Sequence, residues 1–399
     1  MEEVVLVKGV RTPFGNFGGS LKEITAVELG AKVIRASLDK VPVADNEIDF
    51  VVMGLVLPGS GQSPARQTVI AAGLPMETNA LTVERACCSA MQAVGMGFES
   101  ISSGRSKVVI AGGMENMSRT PYMLPQLRWG QRLGDITLMD ELVIRNPYVK
   151  APMAQYAGEV ALEWGVERLE LDEWAVRSNL TWVEADKKGL FKDEIIPVEI
   201  AGKKGPVLFE KDEHPRPDSS IEKLSKLKVV YGSPTITAGN ASALSDGATA
   251  TLLMNGGEAK ARGIKPLARI VDHMAVSGVP RNSPVIPGVA IQRILAKNGL
   301  TLDDMKLIEI NEAFASMPTV STLHLAGKDR KVAEKIRERV NVKGGAISIG
   351  HPIGATGARV VMTLAYEMRR RGERYGIASI CGAIGQANVV ILENPEYGK

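Results

Sequence analysis

A pattern of predicted elements occurs twice in the chain, and this repeat constrains the fold more than any other feature. Residues 44–54 and 302–311 each read as an acidic turn followed by an apolar strand. A predicted helix precedes each of them, at 26–39 and at 286–296, and a loop, a helix and a strand follow. Alternating β and α segments of this kind predict a mainly parallel sheet covered by helices. With 399 residues, the chain is long enough for two such halves.

The segment between residues 117 and 231 differs from this pattern. Prolines, tryptophans and charged residues become more frequent, amphipathic helices are predicted at 154–164 and 172–188, and 203–217 reads as a charged loop. We interpret it as an insertion on the α/β framework, where substrate-binding loops usually lie. The predicted division is an N-terminal half at 1–118, an inserted loop domain at 119–234, the end of the N-terminal half at 235–262 and a C-terminal half at 263–399.

Composition excludes several classes of function. The formal net charge is only +3 and lysines form no block, so we expect neither a nucleic-acid partner nor a membrane surface. No run of about 18 apolar residues exists, so we expect no transmembrane helix, and the N-terminus is not that of a signal peptide. Three cysteines, two of them adjacent, do not form a disulfide framework. The sequence therefore predicts a reduced, cytoplasmic protein.

Cys87 and Cys88 stand in a turn that enters a predicted small-residue helix at 89–100. A thiol at the start of a helix lies at the positive end of the helix dipole, which favours the thiolate. Neighbouring residues point in different directions, so at most one of the two faces a cleft. Since a buried cysteine is more often plain core, position alone leaves both a nucleophile and a core residue open for Cys87.

A glycine loop around His351 leads into a predicted helix at 357–370, as Cys87 leads into its own helix. If the halves pack about a pseudo-twofold axis, the two loops occupy equivalent places. Two helix N-termini then face one cleft, which suits an anionic oxygen. Asn311 directly follows an apolar strand, and Cys381 lies in another glycine turn. Both are therefore candidates for the same cleft. The alternative is a turn residue for Asn311 and a core residue for Cys381.

Two other kinds of site fit the sequence poorly. The glycines of residues 344–357 could hold a phosphate, but no Gly-Lys-Ser/Thr follows and their spacing is not that of a dinucleotide site. A zinc site built from Cys87, Cys88, Cys381 and His351 lacks the cysteine spacing typical of metal binding. We therefore expect no metal ligand among these residues.

Four stretches, in this order, resemble signatures of the thiolase family, the acyl-CoA acyltransferases that form or cleave 3-ketoacyl-CoA. They are Cys-Cys-Ser-Ala-Met at 87–91, Thr-Ala-Gly-Asn-Ala-Ser at 237–242, Asn-Glu-Ala-Phe at 311–314 and the glycine loop at 344–357. The resemblance covers nearly the whole chain. It implies a five-layered αβαβα fold of two similar halves with an inserted loop domain. It also implies acyl-CoA substrates, no metal or redox cofactor, and a homodimer or homotetramer, with 124–133 as the loop through which tetramers associate.

The resemblance also implies a role for each candidate residue. Cys87 would be the nucleophile that takes the acyl group, and His351 would accept its proton and later help to hold an oxyanion. Cys381 would be the acid and base at the α-carbon of the second acetyl-CoA. Asn311 would hold a water in one oxyanion hole, and the N–H groups of Cys87 and Ala383 would form the other. The positions matching coenzyme A contacts are Met153, Arg216 and Ser242.

The implied reaction is the reversible condensation of two acetyl-CoA molecules to acetoacetyl-CoA and coenzyme A through an acyl-cysteine. The alternatives are a thiolase of fatty-acid degradation that acts on longer 3-ketoacyl chains, a ketoacyl synthase, and a non-catalytic acyl-CoA-binding scaffold. Three positions depart from the family pattern. Cys88 stands where the family usually has Gly or Ala, and Pro152 stands where short-chain members often have His. Ala383 stands where the family's Cys-x-Gly stretch has its Gly.

Overall fold

The computed structural model describes residues 1–143, 145–202 and 205–398. Two positions of the charged loop predicted at 203–217, residues 203 and 204, lie outside the described residues. The strands are β1 (Val4–Arg11), β2 (Gly15–Asn16), β3 (Phe50–Gly54), β4 (Asn79–Val83), β5 (Val108–Asn116), β6 (Tyr122–Met123), β7 (Met139–Asp140), β8 (Arg145–Asn146), β9 (Ala151–Pro152), β10 (Val198–Ile200), β11 (Val207–Phe209), β12 (Ser245–Asn255), β13 (Ala268–Ser277), β14 (Met305–Ile310), β15 (Tyr375–Gly382) and β16 (Gln386–Glu393).

The helices include each of those predicted from the sequence, with ends that differ by a few residues. They are α1 (Ala26–Leu38), α2 (Pro64–Ala71), α3 (Ser89–Ser102), α4 (Met153–Glu163), α5 (Arg168–Lys187), α6 (Ile221–Ser225), α7 (Gly256–Ala261), α8 (Ile286–Asn298), α9 (Ser316–Leu325), α10 (Arg330–Arg337), α11 (Ala346–Ile349) and α12 (Thr356–Arg371). None of the described helices is long and apolar enough to cross a membrane.

The large sheet has the strand order β14-β15-β16-β13-β1-β12-β5-β3-β4, and β2 pairs with β12. β3 runs parallel to β4 and β5, and β14 runs parallel to β15. The other neighbouring pairs in this order are antiparallel, so the prediction of a mainly parallel sheet is wrong. The reason is that β12, β13 and β16 were not recognised in the sequence. Strands buried on both faces read as apolar runs whatever their direction.

Five layers result from the way in which the helices cover this sheet. α1 and α2 pack together on the N-terminal strands, and α8 and α9 pack together beside the C-terminal strands. α3 and α12 contact one another between these strand sets, and α3 touches both β5 and β16. The predicted fold of two similar halves is therefore confirmed. The limits predicted for the domains stay a prediction.

Local sequence explains how two of these helices are placed. Thr25 begins α1 with a capping box, in which its side chain accepts from the N–H of Glu28 and the Glu28 carboxylate accepts from the N–H of Thr25. At the central crossing, a Cβ at Gly357 would lie 2.3 Å from the backbone nitrogen of Met91. Only glycine allows α12 to approach α3 this closely. This contact brings the loops that carry His351 and Cys87 together.

Candidate active site

The turn that carries Cys87 is strained and is fixed by hydrogen bonds. It connects the end of β4 to Ser89, the first residue of α3. Ala86 has a φ of +48°, a left-handed conformation that costs a non-glycine residue about 1 kcal/mol. The Ser89 hydroxyl accepts from the N–H of Arg85 at 2.8 Å and donates to the carbonyl of Ala86 at 2.6 Å. Strain held in this way is characteristic of functional turns.

A cavity of about 400 Å³ lies beside this turn. Cys87 and His351 both line it, so the predicted meeting of the two equivalent loops is found. The three residues expected at the coenzyme A positions, Met153, Arg216 and Ser242, line the same cavity. Much of the remaining wall is apolar and includes Met117, Leu142, Val143, Phe314 and Ile353. A cavity of this size with few polar groups is typical of a small-molecule site.

Burial controls the ionisation of the candidate nucleophile. Cys87 is only 3% exposed, and burial raises the pKa of its thiol to about 12. The expectation that the start of α3 would keep a resting thiolate is therefore wrong. Desolvation of a buried charge outweighs a helix dipole, and α3 begins two residues beyond Cys87. Cys87 rests as a thiol and needs a base.

His351 has the form that a base requires. Burial, with a smaller effect from the charge of Arg359, lowers the pKa of its imidazole to about 3, so the ring is neutral. Its Nδ1 lies 2.8 Å from the Thr356 hydroxyl, which lies 3.0 Å from the carbonyl of Pro352. Because a carbonyl can only accept, the hydroxyl donates to Pro352 and accepts from Nδ1–H. Nε2 therefore carries the lone pair.

The backbone of His351 is held as firmly as its ring. Its N–H lies 2.9 Å from the Ser245 hydroxyl, which in turn lies 2.9 Å from Nε2 of His214. Gly350 has a φ of +91°, and a Cβ there would lie 2.1 Å from the Ser245 oxygen. Glycine is therefore required before His351. The result is one imidazole orientation.

Asn311 lies directly beside His351, one residue after the end of β14. Its Nδ2 is 3.4 Å from Nε2 of His351, and its Oδ1 is buried without a hydrogen-bond partner among the described residues. A buried acceptor of this kind can bind a water or a substrate group. Asn311 is thus placed beside the candidate base, although it does not form part of the cavity wall.

Cys381 and Ala383 are not among the residues that line the cavity. Cys381 is fully buried near the end of β15, and burial raises the pKa of its thiol well above the ordinary value. Charge at Cys87 and Cys88 adds to that shift, so the three sulfurs lie within electrostatic range of one another. Ala383 follows β15, and its carbonyl accepts from Gln386 at 3.1 Å. The structure therefore brings Cys381 close to Cys87, although Cys381 does not line the cavity.

Two buried glutamates have structural roles that were not predicted from the sequence. The Glu115 carboxylate accepts from the N–H groups of Val56 at 3.1 Å and Gly354 at 3.0 Å, and thereby ties the His351 loop to the N-terminal half. Glu312, inside one of the four signature stretches, accepts from Trp174 at 2.9 Å and Ser178 at 2.7 Å. The available signal was a charged residue within or beside an apolar strand, which needs partners if it is buried.

Comparison with known proteins gives matches over nearly the whole chain. The family model "Thiolase, N-terminal domain" matches residues 4–257, and "Thiolase, C-terminal domain" matches residues 264–394. An acetyl-CoA acetyltransferase of Syntrophomonas wolfei is 40% identical over 98% of this chain and 99% of its own length.

Two solved structures are similar to the whole chain. The Bacillus anthracis acetyl-CoA acetyltransferase has a TM-score of 0.94 at 38% identity, with 98% of this chain and 99% of that chain covered. The human mitochondrial 3-ketoacyl-CoA thiolase in complex with CoA has a TM-score of 0.92 at 38% identity, with 98% of each chain covered.

Fold and site together define an enzyme of the acyltransferase class, in which a buried thiol and a neutral imidazole meet between two similar halves. The chain belongs to the thiolase family.

Proposed function

We propose that the protein is an acetyl-CoA acetyltransferase, which condenses two acetyl-CoA molecules to acetoacetyl-CoA and coenzyme A and also catalyses the reverse thiolysis. The observation that carries this proposal is that the Cys87 thiol and His351 line one cavity, where Thr356 holds the tautomer whose Nε2 can accept a proton. The name shared by the bacterial relatives supports the choice of acetyl-CoA as substrate.

In the first half of the reaction, the Cys87 sulfur attacks the thioester carbon of acetyl-CoA while Nε2 of His351 takes the thiol proton. The bond from that carbon to the coenzyme A sulfur then breaks, which leaves acetyl-Cys87 and a coenzyme A thiolate. Cys381 protonates this thiolate, and coenzyme A departs as a thiol. The site then holds an imidazolium and the Cys381 thiolate, whose charges offset one another in a buried region.

In the second half, the Cys381 thiolate removes an α-proton from the second acetyl-CoA. The enolate carbon attacks the carbonyl carbon of acetyl-Cys87, and the bond from that carbon to the Cys87 sulfur breaks. The released Cys87 thiolate recovers its proton from His351, so that protons and charge balance over the cycle. Preorganised donors at such an enolate oxygen are worth about 10²–10³ in rate each.

The remaining predicted residues take supporting roles in this proposal. Asn311 and His351 form one oxyanion hole, with a water held by Asn311, and the N–H groups of Cys87 and Ala383 form the other. The coenzyme A arm lies along Met153, Arg216 and Ser242. Both reactants are activated as thioesters, so the proposed reaction uses no metal or redox cofactor.

The proposal extends to the state of the protein in the cell. We place it in the cytoplasm as a homodimer or homotetramer, with residues 124–133 as the loop through which a tetramer associates. That segment supports the proposal because Leu127, Trp129 and Leu133 are exposed apolar side chains on its surface. Apolar groups concentrated in this way commonly mark an interface.

The test is incubation of the purified protein with acetyl-CoA alone, followed by chromatography of the products and mass spectrometry of the Cys87 peptide. We expect acetoacetyl-CoA, free coenzyme A and an acetyl adduct on Cys87. In Cys87→Ser the adduct and ordinary thiolytic activity should be lost. A coenzyme A complex without an adduct would instead favour a scaffold, and a requirement for a malonyl-primed acyl carrier would favour a ketoacyl synthase.

A chain-length series separates the proposal from a degradative thiolase. Thiolysis is measured with 3-ketoacyl-CoA substrates of increasing length, and kcat/KM is compared across the series. We expect the highest value for acetoacetyl-CoA. A maximum at longer chains would assign the protein to the degradative class instead.

A further inference from the structure

Cys88, which the proposed reaction does not use, lies against the backbone on both sides of Cys381. Its thiol is 3.3 Å from the carbonyl oxygen of Ile380, to which it donates. A Cβ at Gly382 would lie 3.1 Å from the same sulfur. The residue after the nucleophile therefore contacts the residues before and after the second thiol.

Arg85 forms a second link from the same turn. Its Nε donates to Oδ1 of Asn388 at 2.9 Å, and one of its terminal nitrogens lies 3.3 Å from the carbonyl of Val276. Asn388 lies on β16 and pairs in register with Ile380 on β15. The turn that carries Cys87 is thus bonded to β15 and β16, the strand pair that carries Cys381. Arg85, two residues before the nucleophile, forms one link, and Cys88, one residue after it, forms the other.

Asn388 is itself fully engaged and fixed. Its Nδ2 donates to Oε1 of Gln92, on the first turn of α3, and to Nε2 of His273 on β13, each at 2.9 Å. Its Oδ1 accepts from Arg85, and its side chain is buried. A satisfied buried amide holds its partners in one arrangement. These bonds connect the nucleophile turn, α3, β13 and β16.

We propose that Arg85, Cys88 and Asn388 are positioning residues that fix the separation between the Cys87 and Cys381 sulfurs. The inference rests on the proposed function, in which an enolate formed at Cys381 attacks an acetyl group on Cys87. Carbon–carbon bond formation needs the reacting atoms about 3–3.5 Å apart, and a displacement of about 1 Å can cost roughly 10²-fold. In acetylation of Cys87, Cys381 only transfers a proton to the departing coenzyme A thiolate, and in exchange of the α-proton Cys87 forms no bond. These two steps therefore tolerate such a displacement better than the formation of a carbon–carbon bond between groups held at both sulfurs.

The experiment measures three rates for each variant: acetylation of Cys87 by quenched-flow mass spectrometry, exchange of acetyl-CoA α-protons with deuterium by NMR, and overall condensation. The main variants are Asn388→Leu, Arg85→Met and Cys88→Ala. Arg85→Lys and Cys88→Ser retain a donor and test rescue. Ser277→Ala is the matched control, because its hydroxyl is at the edge of the network, 3.4 Å from Arg85.

We expect condensation by the main variants to fall about tenfold to a hundredfold while acetylation and exchange change by less than about threefold. The donor-retaining variants should recover part of the loss, and Ser277→Ala should behave as wild type. Two results would overturn the positioning role. One is an equal loss in all three rates that parallels the fall in the thermal unfolding midpoint of each variant, and the other is no loss in any rate. Cys88→Ala and Arg85→Lys keep the test decisive if Asn388→Leu does not fold. Failure of the wild type to acetylate Cys87 would instead count against the proposed function.

Discussion

At His351, the hydrogen bond to Thr356 determines which ring nitrogen can act as a base. Thr356→Val keeps the side-chain shape but removes the acceptor for Nδ1–H, so the tautomer with a free Nε2 loses its preference. We expect kcat for thiolysis of acetoacetyl-CoA to fall by about tenfold to a hundredfold with little change in KM, since general-base catalysis is worth about 10²–10⁴. Steady-state kinetics provides the measurement. Thr356→Ser retains the hydroxyl and should stay close to wild type, and equal activity of both variants would contradict the tautomer argument.

The ionisation of Cys87 and His351 predicts an unusual pH profile. The pKa of the imidazole is lowered to about 3, so its basic form is present above that pH, and the pKa of the thiol is raised to about 12, so its proton is present below that pH. Neither group titrates between them. The first-order rate of Cys87 acetylation at saturating acetyl-CoA should therefore change by less than about threefold from about pH 5 to 7. Above this range Glu115, whose pKa burial raises to about 8, gains a charge that acts on Cys87.

The matched variant for this profile is His351→Gln, which has no base. Its acetylation rate should be low and should rise about tenfold per pH unit, because only the small thiolate fraction reacts. Pre-steady-state mass spectrometry at fixed ionic strength measures both proteins. A step near pH 6–7 in the wild type would show instead that the resting pair carries charge.

The sequence predicts the chemistry of individual residues better than their electrostatic state. Cys87 and His351 could be paired because each precedes a predicted helix in an equivalent place. The ionisation of Cys87 could not be predicted, since its burial depends on distant segments such as those around Met153 and Ser242, which line the same cavity. The structural role of Cys88 was missed for a similar reason. Its partner, Ile380, is far away in the sequence.

At the scale of elements, Glu312 connects the inserted region to the C-terminal half. Its carboxylate accepts from Trp174 and Ser178 on α5, and also from Asn341 at 2.9 Å and the N–H of Ile347 at 3.1 Å. Four donors therefore converge on two oxygens. In Glu312→Gln, an NH₂ group replaces one of these oxygens and faces donors. We expect a loss of about 2–4 kcal/mol in the free energy of unfolding, because buried donors become unpaired.

Urea denaturation, followed by circular dichroism, measures this loss. Glu173→Gln is the control, since Glu173 is exposed on the same helix and should change stability by less than about 0.5 kcal/mol. Similar stability for both variants would mean that Glu312 does not anchor α5. Two features of the sequence distinguish Glu312 from Glu173: the apolar strand that precedes Glu312 and its place in the signature stretch at 311–314.

The elements themselves were partly predictable. Helices such as α1 and α12 follow from capping and apolar periodicity, which are local properties. Strand direction and order depend on pairing across long stretches of chain, as between β1 and β12, and no local pattern records it. The sequence repeat compensated in part for this missing information, because it indicated that the distant loops of Cys87 and His351 occupy equivalent places.

At the scale of the whole molecule, the site depends on contacts between the halves. β1 pairs with β13, α3 packs on α12, and the network around Asn388 joins the Cys87 turn to β16. Neither half contains both Cys87 and His351. A change that loosens these contacts should therefore reduce the rate of condensation before it unfolds either half. The reason is that a small displacement between reacting groups lowers the rate strongly and the free energy of unfolding only slightly.

The last prediction concerns association of whole subunits. Trp129 is 90% exposed and Leu133 is 91% exposed. In an isolated subunit both apolar side chains would be in contact with water. We expect wild-type protein to sediment as a dimer or tetramer. Trp129→Ser combined with Leu133→Ser should lower the mass of a tetramer to that of a dimer, since apolar burial contributes about 25 cal/mol per Å². Analytical ultracentrifugation over a range of concentrations measures it. Leu162→Ser, an exposed apolar residue on α4, is the control and should leave the mass unchanged. A monomeric wild type, or a double variant of unchanged mass, would exclude residues 124–133 as the interface.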